Sequence, residues 1–359
     1  MTSRPPVALP GVTTPAALPV SLPTTRVPDP FTAPPLRWGI LAPGGIARAF
    51  ADALRSFTQQ QIVAVGSRSL ERSEAFAGEF GIEVAYGNYQ ALVEDPDVEA
   101  IYVASPHSEH REQALLAIAA GKHVLVEKAF TRNAAEAVEV LDAAKAAGVA
   151  LMEAMWTRFL PGTDVLRRLL EDDVLGRVTT VFADHGQYFT PDPQHRLFNP
   201  DLAGGAILDL GVYPVSFASF VFGRPESITA VGTKAMTGVD GQLSAVLTAG
   251  DAQAVVSTTL FAQTPTTAAV TGVNATASLA GPFYAPTTLT VTSRDGATLS
   301  HDGGPIRGHQ GLAYEAAHFA SLVRSGATES PLLPWAETLA IMQTMDEMRR
   351  QIDFQLPGE

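Results

Sequence analysis

The stretch "LRWGILAPGGIAR", residues 36–48, decides the fold. Its first half, "LRWGILA", is short and mostly apolar, the pattern of a strand in a buried parallel sheet. Its second half opens an apolar face of Ile46, Ala49, Phe50, Ala53 and Leu54, spaced i, i+3, i+4, i+7, i+8, which is a helix. A buried strand that turns tightly into a helix is the first unit of a dinucleotide-binding sheet, where a pyrophosphate rests on the helix N-terminus. The glycine fingerprint of such a turn aligns here with Ala42, Gly44 and Ala47, so only the middle glycine is present. The strand–turn–helix context therefore carries the reading, and the amides around Gly44, Gly45 and Ile46 are expected to face the phosphates.

The alternation continues downstream. "QIVAVGS", "EVAY", "EAIYVAS", "HVLVEK" and "VALMEAM" read as strands. "LERSEAFAGEF", "HREQALLAIAA" and "NAAEAVEVLDAAKAA" read as helices closed by Gly81, Gly121 and Gly148, the last opened by an Asn133–Glu136 capping pair. Strands alternating with helices in this way mean an α/β fold with a doubly wound parallel sheet. Past residue 155 the rhythm changes to successive strands joined by Gly, Asp and Asn turns, with a Gly-led helix at "GGAILDLGVYPVSFASFVF" and two helices at the end. The expected organisation is a Rossmann domain over residues 36–154 and an α+β domain over 155–359. The second domain is expected to carry a large, mainly antiparallel open sheet, with its C-terminal helices packing back on the first. An open sheet needs its outer face covered, so a homodimer is expected.

Residues 1–35 are rich in Pro, Thr and Ala without periodicity. They read as a disordered tail or, alternatively, as an ordered arm across a partner subunit. Prolines interrupt every apolar stretch there, leaving no signal-peptide core. The 359-residue chain carries a formal net charge of −13, which argues against nucleic acid as a partner. Its apolar runs are short and broken, arguing against a membrane span, and a cytoplasmic small-molecule enzyme is expected. The absence of cysteine excludes disulfides, a catalytic thiol and thiolate metal sites. His107, His110 and His123 fall on a loop, a helix and a strand, and His185 and His195 with Asp184 and Asp192 are loosely spaced. No metal is expected.

Three places carry chemistry. At the end of the second strand, "VGSRS" offers Ser67 and Arg68 where an acidic residue would bind an NAD ribose; a hydroxyl and a guanidinium there favour the phosphate of NADP over NAD. "LVEKAF" puts Glu127 and Lys128 at the C-terminal end of a parallel strand, where open α/β sheets bind ligands. Alone, such a pair is commonly a surface ion pair. "AGGAILDLGVYPV" adds Asp209 and Tyr213, four apart on one helix face, with Pro214 kinking the helix or marking its first turn. A tyrosine beside a lysine suits acid–base work on a carbonyl or alcohol.

The ordered set "WGILAPGGIAR", "VGSR", "ASPHSEH", "LVEKAF", "EAMWTRFLP" and "GGAILDLGVYPV" resembles the Gfo/Idh/MocA oxidoreductases, most closely their dimeric dihydrodiol and NADP-dependent D-xylose dehydrogenase branch. The resemblance spans roughly residues 36–355. It implies a catalytic Lys128, an acid/base Tyr213 where other branches carry histidine, and Asp209 one turn earlier. It nominates Ser105, Pro106 and His107 beside the nicotinamide and Trp156 and Arg158 beside the substrate. The implied activity is NADP-dependent hydride transfer with a sugar, polyol or vicinal diol. Alternatives are an NAD-dependent glycoside hydrolase of the same family and a non-catalytic nucleotide-binding sensor. Two departures from the family pattern stand out: Ala42 for the first glycine, and Ala129 for the proline of Glu-Lys-Pro. A cis bond before alanine costs ~2.5–4 kcal/mol, so a trans bond is expected there.

Overall fold

The computed structural model describes residues 18–359. Its first sheet holds β1 (Arg37–Leu41), β2 (Gln61–Gly66), β3 (Val84–Tyr86), β4 (Ala100–Val103), β5 (His123–Glu127) and β6 (Leu151–Ala154). All neighbours are parallel, in the order β3-β2-β1-β4-β5-β6. The connections are α1 (Gly45–Phe57), α2 (Leu70–Phe80), α3 (Tyr89–Glu94), α4 (His107–Ala119) and α5 (Ala134–Ala147). The short α3, capped by Asn88, is absent from the sequence reading because six residues are too few to show a period. Gly81 and Gly148 end α2 and α5 in the left-handed conformation, and the Asn133 side chain accepts from the Glu136 amide. The strand order reverses between β1 and β4, which opens a crevice at the C-terminal strand ends. Loops after β1, β4 and β5 therefore meet at one place.

A 3-10 turn (Trp156–Phe159) and α6 (Pro161–Glu171) lead into the second sheet. It comprises β7 (Val178–Gly186), β8 (Ser227–Lys234), β9 (Asp240–Ala249), β10 (Ala252–Thr259), β11 (Ala268–Gly272), β12 (Ala275–Leu279), β13 (Leu289–Ser293) and β14 (Thr298–His301). The order is β14-β13-β12-β11-β7-β10-β9-β8, antiparallel except for the β7–β10 pair. One face is covered by α7 (Val212–Phe222) and by α9 (Trp335–Gln351). The same α9 lies against α5, and α8 (Leu312–Arg324) lies against α1, so the two sheets share one continuous core. The outer face is bare, with Phe182, Val246 and Val255 exposed.

Two expectations need correction. The second half of the presumed tail is ordered on the body: the Arg26 guanidinium pairs with Asp164 and Glu171 on α6, and Leu18, Leu22 and Val27 pack on the core. These anchors are single side chains without periodicity, which pattern reading does not detect. Residues 1–17 lie outside the described residues. The apolar run Pro200–Phe222 does reach membrane-spanning length, but its most apolar 18-residue window, with mean hydropathy 1.5, is 83% buried inside the fold, where the π-helical turn and α7 pack between the sheet and α9.

Candidate active site

The crevice deepens into a cavity of about 430 Å³. One wall comes from the parallel sheet: Gly44, Gly45 and Ile46 after β1, Ser105, Pro106 and His107 after β4, and Glu127 and Lys128 at the end of β5. The opposite wall comes from the second domain: His185 and Gln187 at the end of β7, then Arg196, Asp209, Tyr213, Tyr284 and His309.

The α1 N-terminus is built to receive an anion. Gly44 is its N-cap and supplies no side-chain hydrogen bond, so the first amides of the helix are uncapped. A Cβ at Gly45 would meet nothing within 4 Å, and one at Gly44 only the Ala42 carbonyl at 4.0 Å. This is an open backbone cradle. Nearby, the Ser105 hydroxyl is buried without a partner. Uncapped amides, open space and an orphan hydroxyl at the sheet's switch point fit a dinucleotide, with Gly44–Ile46 toward the pyrophosphate. Ala42 adopts φ +67°, the left-handed conformation a glycine would supply. Its side chain does not line the cavity. Ser67, just past the end of β2, is buried, with Arg68 exposed beside it, and neither lines the cavity.

Lys128 reaches across to the other wall. Its Nζ donates to the Asp209 carbonyl oxygen at 2.7 Å, lies 3.4 Å from Asp209 Oδ1 and sits 5.1 Å from the Tyr213 ring centre. Arg196 pairs with both oxygens of the same carboxylate, at 3.0 and 3.3 Å. Burial works against the Asp209 charge, yet Lys128 and Arg196 hold its carboxyl well below the usual carboxylate range. Asp209 lies in a π-helical turn, Ile207–Gly211, that runs straight into α7. The extra residue per turn keeps Asp209 and Tyr213 on the cavity side and absorbs Pro214, whose missing amide would interrupt a regular helix. Asp240 caps this turn, accepting from the Ile207 amide at 2.6 Å, while Gly205 at φ +126° leaves room for that carboxylate. The Tyr213 hydroxyl accepts from Trp156 Nε1 at 3.1 Å. Burial and the Glu127 carboxylate push the Tyr213 phenol well above 10, so it holds its proton.

Beneath Lys128 sits a cluster of buried carboxyls. Glu127 accepts from the Tyr102 hydroxyl and the Lys128 amide. Glu153 accepts from the Phe130 amide, and burial pushes it up to about 7. Both oxygens of Glu315 are buried without a partner, and burial raises it too. The Lys128–Ala129 bond is cis, not trans. The expectation weighed only an isolated peptide bond; in the fold the Ala129 carbonyl lies 2.9 Å from His110 Nδ1 and the next amide is held by Glu153.

Of the remaining expected residues, His107 opens α4 rather than sitting in a loop, and burial holds its imidazole neutral, down to about 3. Trp156 stands behind Tyr213 and stacks on His309 without lining the cavity. Arg158 is a correction: it points away, bonding Ser216 and Glu337 and lining a separate cavity of about 810 Å³. On the 3-10 turn, residues two apart face different directions, so Trp156 and Arg158 cannot share a site. Sequence reading missed His185, Gln187, Arg196, Tyr284 and His309; apart from the neighbouring His185 and Gln187, no local spacing links them, since they lie on separate strands and loops.

A dinucleotide cradle facing a lysine, a carboxylate and a protonated tyrosine defines an NAD(P)-dependent oxidoreductase. Residues 36–155 match the oxidoreductase family with an NAD-binding Rossmann fold, GFO_IDH_MocA, and residues 164–278 match the GFO/IDH/MocA C-terminal domain. The chain belongs to the Gfo/Idh/MocA family. It is 37% identical over 337 residues to trans-1,2-dihydrobenzene-1,2-diol dehydrogenase of Macaca fuscata fuscata, covering 90% of this chain and 99% of the relative. It is 38% identical over 333 residues to the enzyme of that name from Mus musculus, with the same coverage. Among solved structures, the 3-ketoreductase KijD10 of Actinomadura kijaniata, in complex with NADP and TDP-benzene, superposes with TM-score 0.76 at 27% identity, over 89% of this chain and 98% of that one. The aldose-aldose oxidoreductase of Caulobacter crescentus shares the fold, with TM-score 0.80 at 23% identity over 89% and 98% of the two chains.

Proposed function

We propose that this chain is an NADP-dependent dehydrogenase or reductase of a sugar, polyol or vicinal diol, working in the cytoplasm. The observation that carries the reading is Lys128 Nζ anchored on Asp209 within 5.1 Å of the Tyr213 ring, facing the open α1 cradle. Bound at Gly44–Ile46, Ser105–His107 and Glu127, the nicotinamide cofactor supplies or accepts a hydride at the substrate carbon. Tyr213 gives its phenolic proton to the substrate oxygen in reduction and takes it back in oxidation. Lys128 polarises the same oxygen, and Asp209 holds Lys128 and Arg196 in place. Trp156 fixes the Tyr213 hydroxyl.

Selection of NADP rests on Arg68, with Ser67 beside it and Arg72 one turn on; Arg68 and Arg72 both act on the Tyr89 phenol, so they share one surface. Glu71, the nearest acid, already belongs to α2. KijD10, named above with NADP, supports the choice. A homodimer through the outer sheet face completes the reading: Ala269, Phe182, Val255 and Val246 register side by side across β11, β7, β10 and β9, giving an apolar row. A panel of aldoses, polyols and cyclic diols, followed at the reduced-nicotinamide absorbance with NAD and NADP in parallel, tests the proposal. Free reduced cofactor with NADP supports it; no turnover of any substrate overturns it.

A further inference from the structure

The second-domain wall carries a pair of side chains with no part in proton or hydride transfer. The His185 ring centre is 5.4 Å from that of Tyr213 and 4.6 Å from that of Tyr284. Its Nδ1 is sealed inside the protein without a hydrogen-bond partner among the described residues. Its Nε2 lies 3.2 Å from the Gln187 side-chain nitrogen. Burial and the nearby Lys128 charge hold the imidazole neutral, down to about 4. The Gln187 nitrogen can only donate, so the neutral ring accepts at Nε2 and carries its proton on Nδ1. The Gln187 amide then donates to Nε2 and also lies beside the Tyr284 phenol.

The charges of the cavity narrow the ligand further. Among the described residues, its two cations, Lys128 and Arg196, are both committed to Asp209. Asp209 already offsets one of those charges, and the wall of His185, Gln187 and Tyr284 is neutral. Buried neutral acceptors next to a reacting centre are suited to hydroxyl groups, and they penalise a ligand that leaves them unpaired.

We propose that His185 and Gln187 are specificity-determining residues that read a substrate hydroxyl one or two carbons from the reacting carbon. The site accordingly takes an uncharged substrate that carries a second hydroxyl within two carbons of the reacting one. In the free protein the Gln187 amide occupies His185 Nε2 as a placeholder, and the substrate hydroxyl takes that position on binding. This inference rests on the dehydrogenase reading above.

The test compares wild type with His185→Phe and His185→Asn on the best neutral substrate of the panel and on its singly deoxygenated analogues. Both kcat/KM and the NADP KM are measured. Wild type is expected to prefer the parent over one analogue by about tenfold or more. His185→Phe should erase that preference by losing rate on the parent alone, with the NADP KM unchanged. His185→Asn, which keeps an acceptor, should restore part of it. Equal losses on parent and analogues would mean a packing role and would overturn the inference. So would a wild-type preference for a mono-alcohol that has no second hydroxyl to read. Wild-type inactivity on every substrate would instead remove the dehydrogenase reading, and this inference with it.

Discussion

On the Rossmann side of the cavity, the wall is made from the ends of three strands of one sheet, β1, β4 and β5, and much of what it presents is backbone. On the opposite side, residues from β7, a π-helical turn, α7 and three separate loops converge, and what they present is side chains. Asp209 and the carboxyls behind Lys128 differ in the same way, although Asp240, behind the second-domain wall, is also raised by burial, to about 7. Asp209, on the second-domain wall, has two cations against it and is held below the usual range. Glu153 and Glu315, behind the Rossmann wall, have no cation within ion-pair distance among the described residues and are pushed up by burial. A wall that binds a cofactor common to many enzymes can be set by topology alone. A wall that handles charge and proton on a particular substrate needs paired side chains, and those come from distant parts of the chain.

The strongest way to break this division is to remove the groups that cross it. Tyr213→Phe and Lys128→Met should each lower kcat by about 10²–10⁴-fold while leaving cofactor affinity within a few-fold of wild type. Steady-state kinetics alongside cofactor titration would check this. If either variant turned over at the wild-type rate, the proposed acid–base pair would be wrong.

Next in size is the contrast between buried carboxyls. Glu153 has an ordinary value of 4.5 and is raised to about 7 in the fold. The folded state therefore binds its proton more tightly than the unfolded state does. That stabilisation is complete below about 4.5 and is lost as pH rises toward 7. Glu153→Gln cannot ionise, so its stability relative to wild type should grow across that window, by on the order of 2–3 kcal/mol. Urea midpoints at several pH values measure it, and parallel curves for the two proteins would contradict the assignment.

The same division explains what could be read from sequence. The parallel sheet was legible because its signals are local: apolar runs of strand length, helix faces, closing glycines and an Asn cap within one βα unit. Lys128 and Tyr213 were legible because each sits in a distinctive run, "LVEKAF" and "GGAILDLGVYPV". His185, Arg196, Tyr284 and His309 were not, because the second sheet brings them together across up to 124 residues of chain without any spacing rule. Arg158 was misplaced for the converse reason. Closeness in sequence suggests one site for Trp156 and Arg158, but the turn they share aims them apart.

Removing Arg68 sharpens the Rossmann side, where one side chain is proposed to add specificity to a backbone cradle. Arg68→Ala should raise the NADP KM about 10–100-fold and leave the NAD KM nearly unchanged, since only the former has a phosphate for the guanidinium to pair with. Parallel KM measurements with the two cofactors decide it. An equal loss with both would mean that Arg68 supports the strand end rather than the phosphate.

The smallest effect is expected at the turn after β1. Ala42 holds φ +67°, where a residue with a Cβ is disfavoured by about 1–2 kcal/mol. Ala42→Gly relieves that, but a glycine also loses roughly 0.5–1 kcal/mol more backbone entropy on folding. The net gain should be about 0.5–1 kcal/mol, read as a small rise in thermal midpoint. Because the Ala42 side chain does not line the cavity, the cofactor KM should stay within about twofold. A loss of stability, or a clear change in cofactor KM, would show that the methyl group stiffens the cradle in a way a glycine cannot, and the Rossmann wall would then depend on a side chain after all.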